Sequence, residues 1–534
     1  MDIASWILVV TVFATVVYLG YRWSIASFDY FVPRRVPFVK PWPLFGGLWP
    51  FFAGRMHTND AVSAGYRMFP EAKFSGLFVF RRPGYLVHDL ELVKQIAIKD
   101  FDHFTDHANN LKEDVDPLVG RALFFMEGSR WRHGRSGLSP AFTGSKMRNM
   151  FVLISSYTEK VMRKLMISSN GETLEKEMED LFQRLSTDVI TSISLGMEAD
   201  SIHEPKNEFF CYCKRLISTT GFQGLKLFVM TMLPAKFFTL LRMTIIPRDV
   251  AEFYEHIVAT VIKHREQSNI SRPDFIHLMM LARKNELKLE HSDEQRGNVE
   301  LQTEEDHSPI TTGDHLRWTD MDIAAAAASF FVGGVDSTTT LLCFALYELS
   351  LNPEIQDKLR EEVDGVANSL TEQYLSYEAL QKMKFLDMVV METLRRWSPS
   401  GVTNRKCIKP YIMVNSDGTQ VTVEKGQLIV IPIQAIHTDP RYYPNPMRFN
   451  PERFSDENRH TIDQNAFLPF GNGPRNCIGS RLALMQIKCL LYQLLAYFVV
   501  KLSSRTDVPV RIDTRAVGIK AKSGFWFKLT PRAK

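Results

Sequence analysis

The stretch from Phe470 to Gly479, near the C-terminus, is the feature that most constrains how this chain folds, because Cys477 stands there among other specified residues. Gly473 permits a tight turn whose backbone N–H groups can point at a sulfur atom. Arg475 lies two residues before the cysteine, and Phe470 can cover a thiolate and keep it dry. A cysteine in an ordinary context is a small, buried, inert residue. Five specified positions in ten residues arise by chance in a chain of 534 only on the order of a few times in ten thousand, so this stretch is a specific motif and not an ordinary cysteine context.

This stretch resembles the haem-binding loop of the cytochromes P450. The resemblance implies that Cys477 is the axial ligand of the iron of haem b, to which a thiolate supplies electron density that favours O–O cleavage. It implies that Phe470 covers the thiolate side of the haem, that Arg475 reaches a propionate, and that Gly479 lets the next helix lie against the porphyrin. The implied fold is mostly α with a smaller β portion (α+β), preceded by a single N-terminal transmembrane helix.

A helix is predicted to follow Ser376 and to run from Tyr377 to Trp397, with Ser398-Pro399 as its stop signal. It carries Glu392 and Arg395, which at i, i+3 face the same side and can form an ion pair. The resemblance implies that Arg453 is the third member of the family's Glu-Arg-Arg network. In that interpretation the three residues lock the scaffold of the haem-binding loop.

Two further segments resemble propionate-binding parts of the family. Trp131 and Arg135 match its Trp-x-x-x-Arg pattern, in which both side chains reach a propionate from one helical turn. Arg405 follows the Glu392 helix where the family places another propionate-binding arginine. Because two buried propionates need cationic partners, Arg135, Arg405 and Arg475 together meet a physical demand.

A long apolar helix is predicted from Thr319, as N-cap, to Leu351, before Asn352-Pro353. Gly333 and Gly334 interrupt its middle, at a cost of about 1 kcal/mol each, and are expected to open the hydrogen-bond ladder. Asp336 and Ser337 follow, and the family usually has threonine where Ser337 stands. Serine keeps the hydroxyl, so proton delivery by Asp336 and Ser337 remains chemically possible, although the methyl that limits the rotamers is lost. These two are the candidate catalytic residues.

The N-terminus is predicted to anchor the chain in a membrane. Residues 3–20 are uncharged and apolar, and about long enough to span hydrocarbon. A cleaved signal peptide is the competing interpretation, but the start carries Asp2 and no Lys or Arg. Cations follow the apolar run, so the positive-inside rule places the catalytic part in the cytosol. We therefore expect a single-pass endoplasmic reticulum protein with an anchor at 1–22, a stiff proline-rich hinge at 23–50 and a haem-thiolate domain at 51–534.

Composition excludes some classes of protein. A net charge of +4 is too small to predict nucleic-acid binding, and no recognition module accompanies it. The six cysteines show no disulfide framework, as expected on a reducing cytosolic face. Cys211 and Cys213 are read as part of a helix, because no second ligand pair follows at zinc spacing.

The β portion is predicted as short hairpins. One pairs residues 74–80 with 85–88 through a turn at Pro83-Gly84, and another pairs 411–414 with 420–423 around Asp417-Gly418. The charged segment from Asn285 to Ser308 is expected to be an exposed connection.

The resemblance also implies a substrate and redox partners. Segments that match the family's substrate pocket are rich in Phe and Met, which suggests a large, adaptable site for lipophilic compounds, although such residues are equally ordinary core. These segments are 101–125, 209–246, Phe330, Phe331, Val402 and 516–519. The family's thiolate face docks NADPH-cytochrome P450 reductase, with cytochrome b5 as a further candidate, and a solvated basic surface without a partner is the alternative. The candidate docking cations are Arg130, Arg132, Lys146, Arg148 and Lys488.

The sequence is thus identified as resembling haem-thiolate monooxygenases that insert one atom of O2 into lipophilic xenobiotics or endogenous lipids and hormones. Segments 113–118 and 138–143 are most similar to the insect microsomal members associated with xenobiotics. A reductase-independent haem-thiolate isomerase or dehydratase is an alternative that could dispense with Asp336 and Ser337. A non-catalytic membrane protein that sequesters haem and hydrophobic ligands is another.

Overall fold

A computed structural model of the chain describes residues 2–109, 111–217, 230, 235–241, 243–268, 272, 274–284, 318–370, 374–516 and 518–532. The predicted connection 285–308 and part of the 209–246 segment lie outside these ranges. The described part is mainly helical with a smaller β portion, which confirms the predicted α+β class.

The first helices run as α1 Ile3–Ile25, α2 Trp49–Phe52, α3 Thr58–Arg67, α4 Leu90–Lys94, α5 Pro117–Gly120, α6 Gly128–Leu138, α7 Gly144–Ser168, α8 Met178–Leu195 and α9 Glu208–Ile217. The later helices are α10 Ala235–Leu240, α11 Arg248–Ser268, α12 Phe275–Arg283, α13 Asp320–Leu351, α14 Pro353–Ser369, α15 Tyr377–Lys382, α16 Lys384–Arg396, α17 Ile433–His437 and α18 Ser480–Tyr497.

The strands form separate sheets. Their bounds are β1 Phe74–Val79, β2 Arg82–Val87, β3 Leu174–Glu177, β4 Thr403–Lys406, β5 Tyr411–Val414, β6 Gln420–Val423, β7 Leu428–Ile431, β8 Phe498–Leu502 and β9 Trp526–Pro531. One sheet has the order β1-β2-β7-β4, a second β3-β9-β8 and a third β5-β6.

The two predicted hairpins had different outcomes. The β5–β6 hairpin around Asp417-Gly418 is confirmed, and Gly418 has a left-handed φ of 81°. The prediction of a turn at Pro83-Gly84 is wrong. The pairing of β1 with β2 begins with Val79 opposite Arg82, so the turn lies between those two residues. Gly84 instead faces β7, where a Cβ would lie 2.9 Å from the backbone oxygen of Leu428. A glycine inside a strand thus marks the close approach of a neighbouring backbone.

Helix α13 forms the centre of the helical core. Thr319 caps it in a reciprocal capping box with Asp322, and it ends at Leu351 before Pro353, as the sequence predicts. It packs along α8 and also contacts α11, α16 and α18. Its residues from Leu341 to Leu346 are at most 1% exposed, so it is a core element.

The prediction of one continuous helix over 377–397 is wrong, because the structure has α15 and α16 there, separated at Met383 with a ψ of 88°. The predicted start after Ser376 is confirmed, since the Ser376 side chain accepts from the Ala379 N–H. A side chain of α14 stabilises the helix start that follows this break. The Glu362 carboxylate accepts from the backbone N–H groups of Phe385 at 2.9 Å and Leu386 at 2.8 Å. These groups need an acceptor at a helix start, and a side chain from another helix supplies it.

Helix α1 is long and apolar enough to cross a membrane, with a mean hydropathy of 2.2. It extends to Ile25, beyond the expected anchor. Helix α13 meets the same length and composition test but is mostly buried inside the protein. Part of the predicted hinge at 23–50 packs on the first sheet: Phe31 is fully buried, and Phe38 bridges to Gly76 of β1.

Candidate active site

The loop that carries Cys477 is closed by backbone hydrogen bonds. The Cys477 N–H donates to the Phe470 carbonyl at 2.8 Å, and the Asn476 N–H donates to the Gly473 carbonyl at 2.9 Å. Gly473 has a left-handed φ of 71°, and a Cβ there would collide with the backbone oxygen of Ala97. Glycine is therefore required at this position by both the turn and the packing. The loop leads directly into α18.

Cys477 lies inside the protein although its side chain is accessible. Burial is the largest influence on the pKa of its thiol and raises it. The Gly479 N–H and the Arg135 guanidinium act in the opposite direction and lower that pKa. An accessible sulfur enclosed by protein, with a donor and a cation beside it, suits a thiolate ligand better than a surface thiol.

Arg475 is held in place by backbone carbonyls. Its Nε donates to Thr105 at 2.7 Å and its Nη2 to Met126 at 2.8 Å. The guanidinium lies 4.0 Å from the centre of the Trp131 ring, a cation–π contact with the residue predicted to share its role. Burial and the nearby Arg405 lower the pKa of Arg475 to about 9, so it stays charged at neutral pH.

Arg405 and Arg135 complete a group of cations. Arg405 is 1% exposed, burial lowers its pKa to about 10, and within the described ranges its Nε has no hydrogen-bond partner. Arg135 donates to the Asn476 carbonyl at 2.9 Å and to its side-chain oxygen at 2.6 Å, next to Cys477. His107 is buried beside the group, and burial together with Arg405 and Arg475 lowers its pKa to about 3.

Within the described ranges, Arg405 and Arg475 have few acidic groups near them. Among the described residues, the carboxylate in contact with Arg475 is Asp106, at 3.6 Å. Buried guanidinium groups need anionic partners, and the unpartnered Nε of Arg405 shows that one donor is still available. Haem b fits this set, because two propionates match the arginines and the iron matches the thiolate of Cys477.

Glu392 and Arg395 form a buried ion pair on α16. Both side chains are fully buried, and the Arg395 Nε donates to Glu392 at 2.7 Å. Glu392 also accepts from the Asn450 N–H at 2.9 Å. The Nε of Arg453 lies 3.4 Å from Glu392, which is a charge contact rather than a well-formed hydrogen bond. The structure thus brings together the three residues that the resemblance groups.

His437 joins this network to the cysteine loop, and sequence reasoning missed it. Its carbonyl accepts from Arg395 at 2.7 Å, and its Nε2 accepts from the Leu468 N–H at 2.8 Å. The Leu468 carbonyl in turn accepts from the Gly471 N–H. Burial and Arg395 lower the pKa of His437 to about 3, so the ring is neutral. No local motif marks this histidine, because its partners come from distant segments.

Asp336 and Ser337 are neighbours on α13 but contact different groups. The Asp336 carboxylate lies 3.2 Å from Lys520, and the Ser337 hydroxyl donates to the Gly333 carbonyl at 2.5 Å. The helix is continuous through the glycine pair, so the predicted opening of the ladder is wrong. Gly334 is a packing residue, since a Cβ there would lie 2.8 Å from Ile190, whereas a Cβ on Gly333 meets no atom within 4 Å.

Several other expected site residues have structural roles. Phe331 is fully buried, and Phe330 stacks on Phe275 at 4.9 Å, so both pack in the core. Lys488 is buried and pairs with Asp387 at 2.6 Å, so the prediction that it lies on a docking surface is wrong. Arg130, Arg132 and Arg148 remain partly exposed, and each pairs with a carboxylate.

Comparisons with known proteins agree with this geometry. The family profile described as "Cytochrome P450" matches residues 36–526. The chain is 36% identical to cytochrome P450 9e2 of Blattella germanica, over 99% of this chain and 98% of that protein. It is 35% identical to cytochrome P450 9b2 of Drosophila melanogaster, covering 96% and 97%, and 32% identical to cytochrome P450 6A1 of Musca domestica, covering 99% and 98%.

Proposed function

Because the chain belongs to the cytochrome P450 family, which makes it a monooxygenase with haem b on an axial cysteine thiolate, we propose that Cys477 supplies that thiolate. We propose further that α1 anchors the protein in the endoplasmic reticulum membrane with its catalytic part in the cytosol. Electrons come from NADPH through NADPH-cytochrome P450 reductase, with cytochrome b5 as a further partner. The substrate is a lipophilic small molecule, either a xenobiotic or an endogenous lipid or hormone.

The observation that carries this proposal is the grouping of Cys477 with the buried Arg405 and Arg475, where the Nε of Arg405 has no hydrogen-bond partner among the described residues. Trp131, Arg135, Arg405 and Arg475 would hold the two propionates of the haem. Haem bound in this way supplies dioxygen activation and the transfer of one oxygen atom. Phe470 covers the sulfur side and limits its contact with water.

Protons for the reaction are assigned to Asp336 and Ser337. For each O2, one oxygen enters the product and the other leaves as water, so two electrons and two protons are consumed. Asp336 is partly exposed and can exchange protons with solvent, while the Ser337 hydroxyl can accept one proton and donate another. Each must first leave the contact that it makes in this structure.

The proposal is tested with the full-length protein in membranes containing the reductase and NADPH. Lipophilic compounds are supplied under ¹⁸O₂, and incorporation of one labelled atom is measured. The proposal predicts labelled product that requires both the reductase and Cys477. Cys477→Ala removes the product, whereas Cys489→Ala, at a fully buried thiol in α18, retains it. Product that forms without reductase, or that survives Cys477→Ala, would contradict the proposal.

A further inference from the structure

Lys520 lies between two carboxylates from different helices. Its Nζ is 3.2 Å from Asp336 on α13 and 3.3 Å from Glu179 in the first turn of α8. The lysine comes from the segment before β9. The contacts therefore connect Asp336, the candidate proton-delivery residue, to α8 and to the segment before β9. The proposed function gives neither of these elements a role.

The surroundings make these contacts stronger than those of an ordinary surface pair. The side chains of Lys520, Glu179 and Asp336 are 28%, 26% and 32% exposed, so water screens their charges only in part. Burial opposes the charge on Lys520, but Asp336 and Glu179 outweigh it and raise the lysine pKa. Burial raises the pKa of Glu179. Lys520 is therefore a cation that requires at least one carboxylate partner.

The Asp336 carboxylate is turned towards this lysine. Its second oxygen faces Gly518, where a Cβ would lie at 3.6 Å, while the Ser337 hydroxyl is bonded to Gly333. We propose that Lys520 is a positioning residue that holds Asp336 away from Ser337, and that Glu179 makes the release of Asp336 easier by keeping Lys520 paired. This inference rests on the proposed role of Asp336 and Ser337 in proton delivery.

The nearly equal distances are the basis for the role of Glu179. If Asp336 rotates away, Lys520 retains a carboxylate at 3.3 Å and is not left as a lone, partly buried cation. Without Glu179 the same rotation would strip Lys520 of both partners. Glu179 therefore acts on Asp336 only through Lys520.

The proton balance is simple. Once it has left the lysine, the Asp336 carboxylate takes one proton from the solvent. It gives that proton to the Ser337 oxygen as the hydroxyl passes its own proton into the site. Asp336 is then ionised again and returns to Lys520, with no net change in the protein.

The test compares Glu179→Gln, Lys520→Met and the double variant in the full-length, haem-loaded protein with reductase. Lys522→Met, at an exposed lysine two residues further on, is the matched control. The readouts are the fraction of NADPH electrons found in product rather than hydrogen peroxide, and the solvent deuterium isotope effect on product formation. Thermal unfolding of each variant reports folding, and Lys520→Gln replaces Lys520→Met if the latter unfolds.

We expect Glu179→Gln alone to lower the product fraction about two- to fivefold, the factor that corresponds to a partly exposed ion pair, and to raise the isotope effect. In the Lys520→Met background the same substitution has no effect, and Lys522→Met behaves as wild type. An equal effect of Glu179→Gln in both backgrounds, or none in either, overturns the inference.

Asp336→Asn separates this inference from the proposed function. If Asp336→Asn leaves the product fraction unchanged, the proposed proton-delivery role itself fails. If Asp336→Asn lowers it but Glu179→Gln does not, only the role of Lys520 and Glu179 fails. A measurement without turnover checks the pair directly: the Tm shifts of Asp336→Asn and Lys520→Met should not add in the double variant.

Discussion

Removal of both charges from the buried pair on α16 should destabilise the protein by less than the two single removals added together. Glu392 and Arg395 are both fully buried, and Glu392 accepts from Arg395 at 2.7 and 2.8 Å and from the Asn450 N–H at 2.9 Å. Glu392→Met leaves the Arg395 guanidinium as a buried charge with carbonyl partners only. The double variant Glu392→Met/Arg395→Met leaves no lone charge at this pair.

The expected cost follows from these contacts. An uncompensated buried charge costs about 3–5 kcal/mol. An unpaired Asn450 N–H adds about 1–3 kcal/mol, so Glu392→Met should lose about 4–8 kcal/mol of a total that is typically about 5–15 kcal/mol. Arg395→Met leaves Glu392 with Arg453 at 3.4 Å and should also lose about 3–5 kcal/mol. We expect the double variant to lose at least about 2 kcal/mol less than the sum of the two single losses.

The assay is unfolding in guanidinium of the haem-loaded protein, with haem content measured for each variant. Lys384→Met is a suitable control, because its ion pair with Asp456 at 2.6 Å lies on the surface, where water screens the charges, and should contribute little to stability. If the losses in free energy of unfolding of Glu392→Met and Arg395→Met add fully in the double variant, the two residues are not an energetically coupled pair, which contradicts this prediction.

Three further predictions concern single residues. His437, with its usual pKa of 6.5 lowered to about 3 by burial, stays neutral in the fold while the unfolded chain takes up a proton, so stability is lost as pH falls below 6.5. Unfolding at pH 7.5 and 5.5 should show that His437→Gln removes about 1.4 kcal/mol of this loss, and an unchanged pH dependence would contradict the assignment. Gln486 is fully buried and neither polar atom of its side chain has a partner within the described ranges, so Gln486→Met should raise the free energy of unfolding by about 1–2 kcal/mol, and a loss would show that water satisfies the amide. Gly333→Ala should raise stability by up to about 1 kcal/mol through helix propensity, whereas Gly334→Ala should lower it by about 1–2 kcal/mol through contact with Ile190, and the opposite order in thermal unfolding would contradict the packing.

Local rules predicted the parts of the fold that depend on neighbours in sequence. The caps at Thr319 and Ser376 and the hairpin at Asp417-Gly418 need only side chains a few residues apart. The pairing of Glu392 with Arg395 follows from their i, i+3 spacing on a helix. The motif around Cys477 was informative for the same reason, because its demands are contained in one loop.

Contacts between distant segments set the rest. The break at Met383 depends on Glu362 from another helix, and Gly84 is a strand residue because β7 approaches it. Lys488 carries a charge and was expected at the surface, but Asp387 on a neighbouring helix allows it to be buried. The link through His437 and the contact of Lys520 with Asp336 likewise join residues far apart in sequence, and no periodicity or motif marks them.

X-ray absorption at the iron edge of the purified, haem-loaded protein identifies the atoms bound to iron. We predict a sulfur atom bound to iron in the wild type and in Cys489→Ala, and its loss in Cys477→Ala. A sulfur ligand that persists in Cys477→Ala, or an iron site without sulfur in the wild type, would contradict the assignment of Cys477 as the ligand.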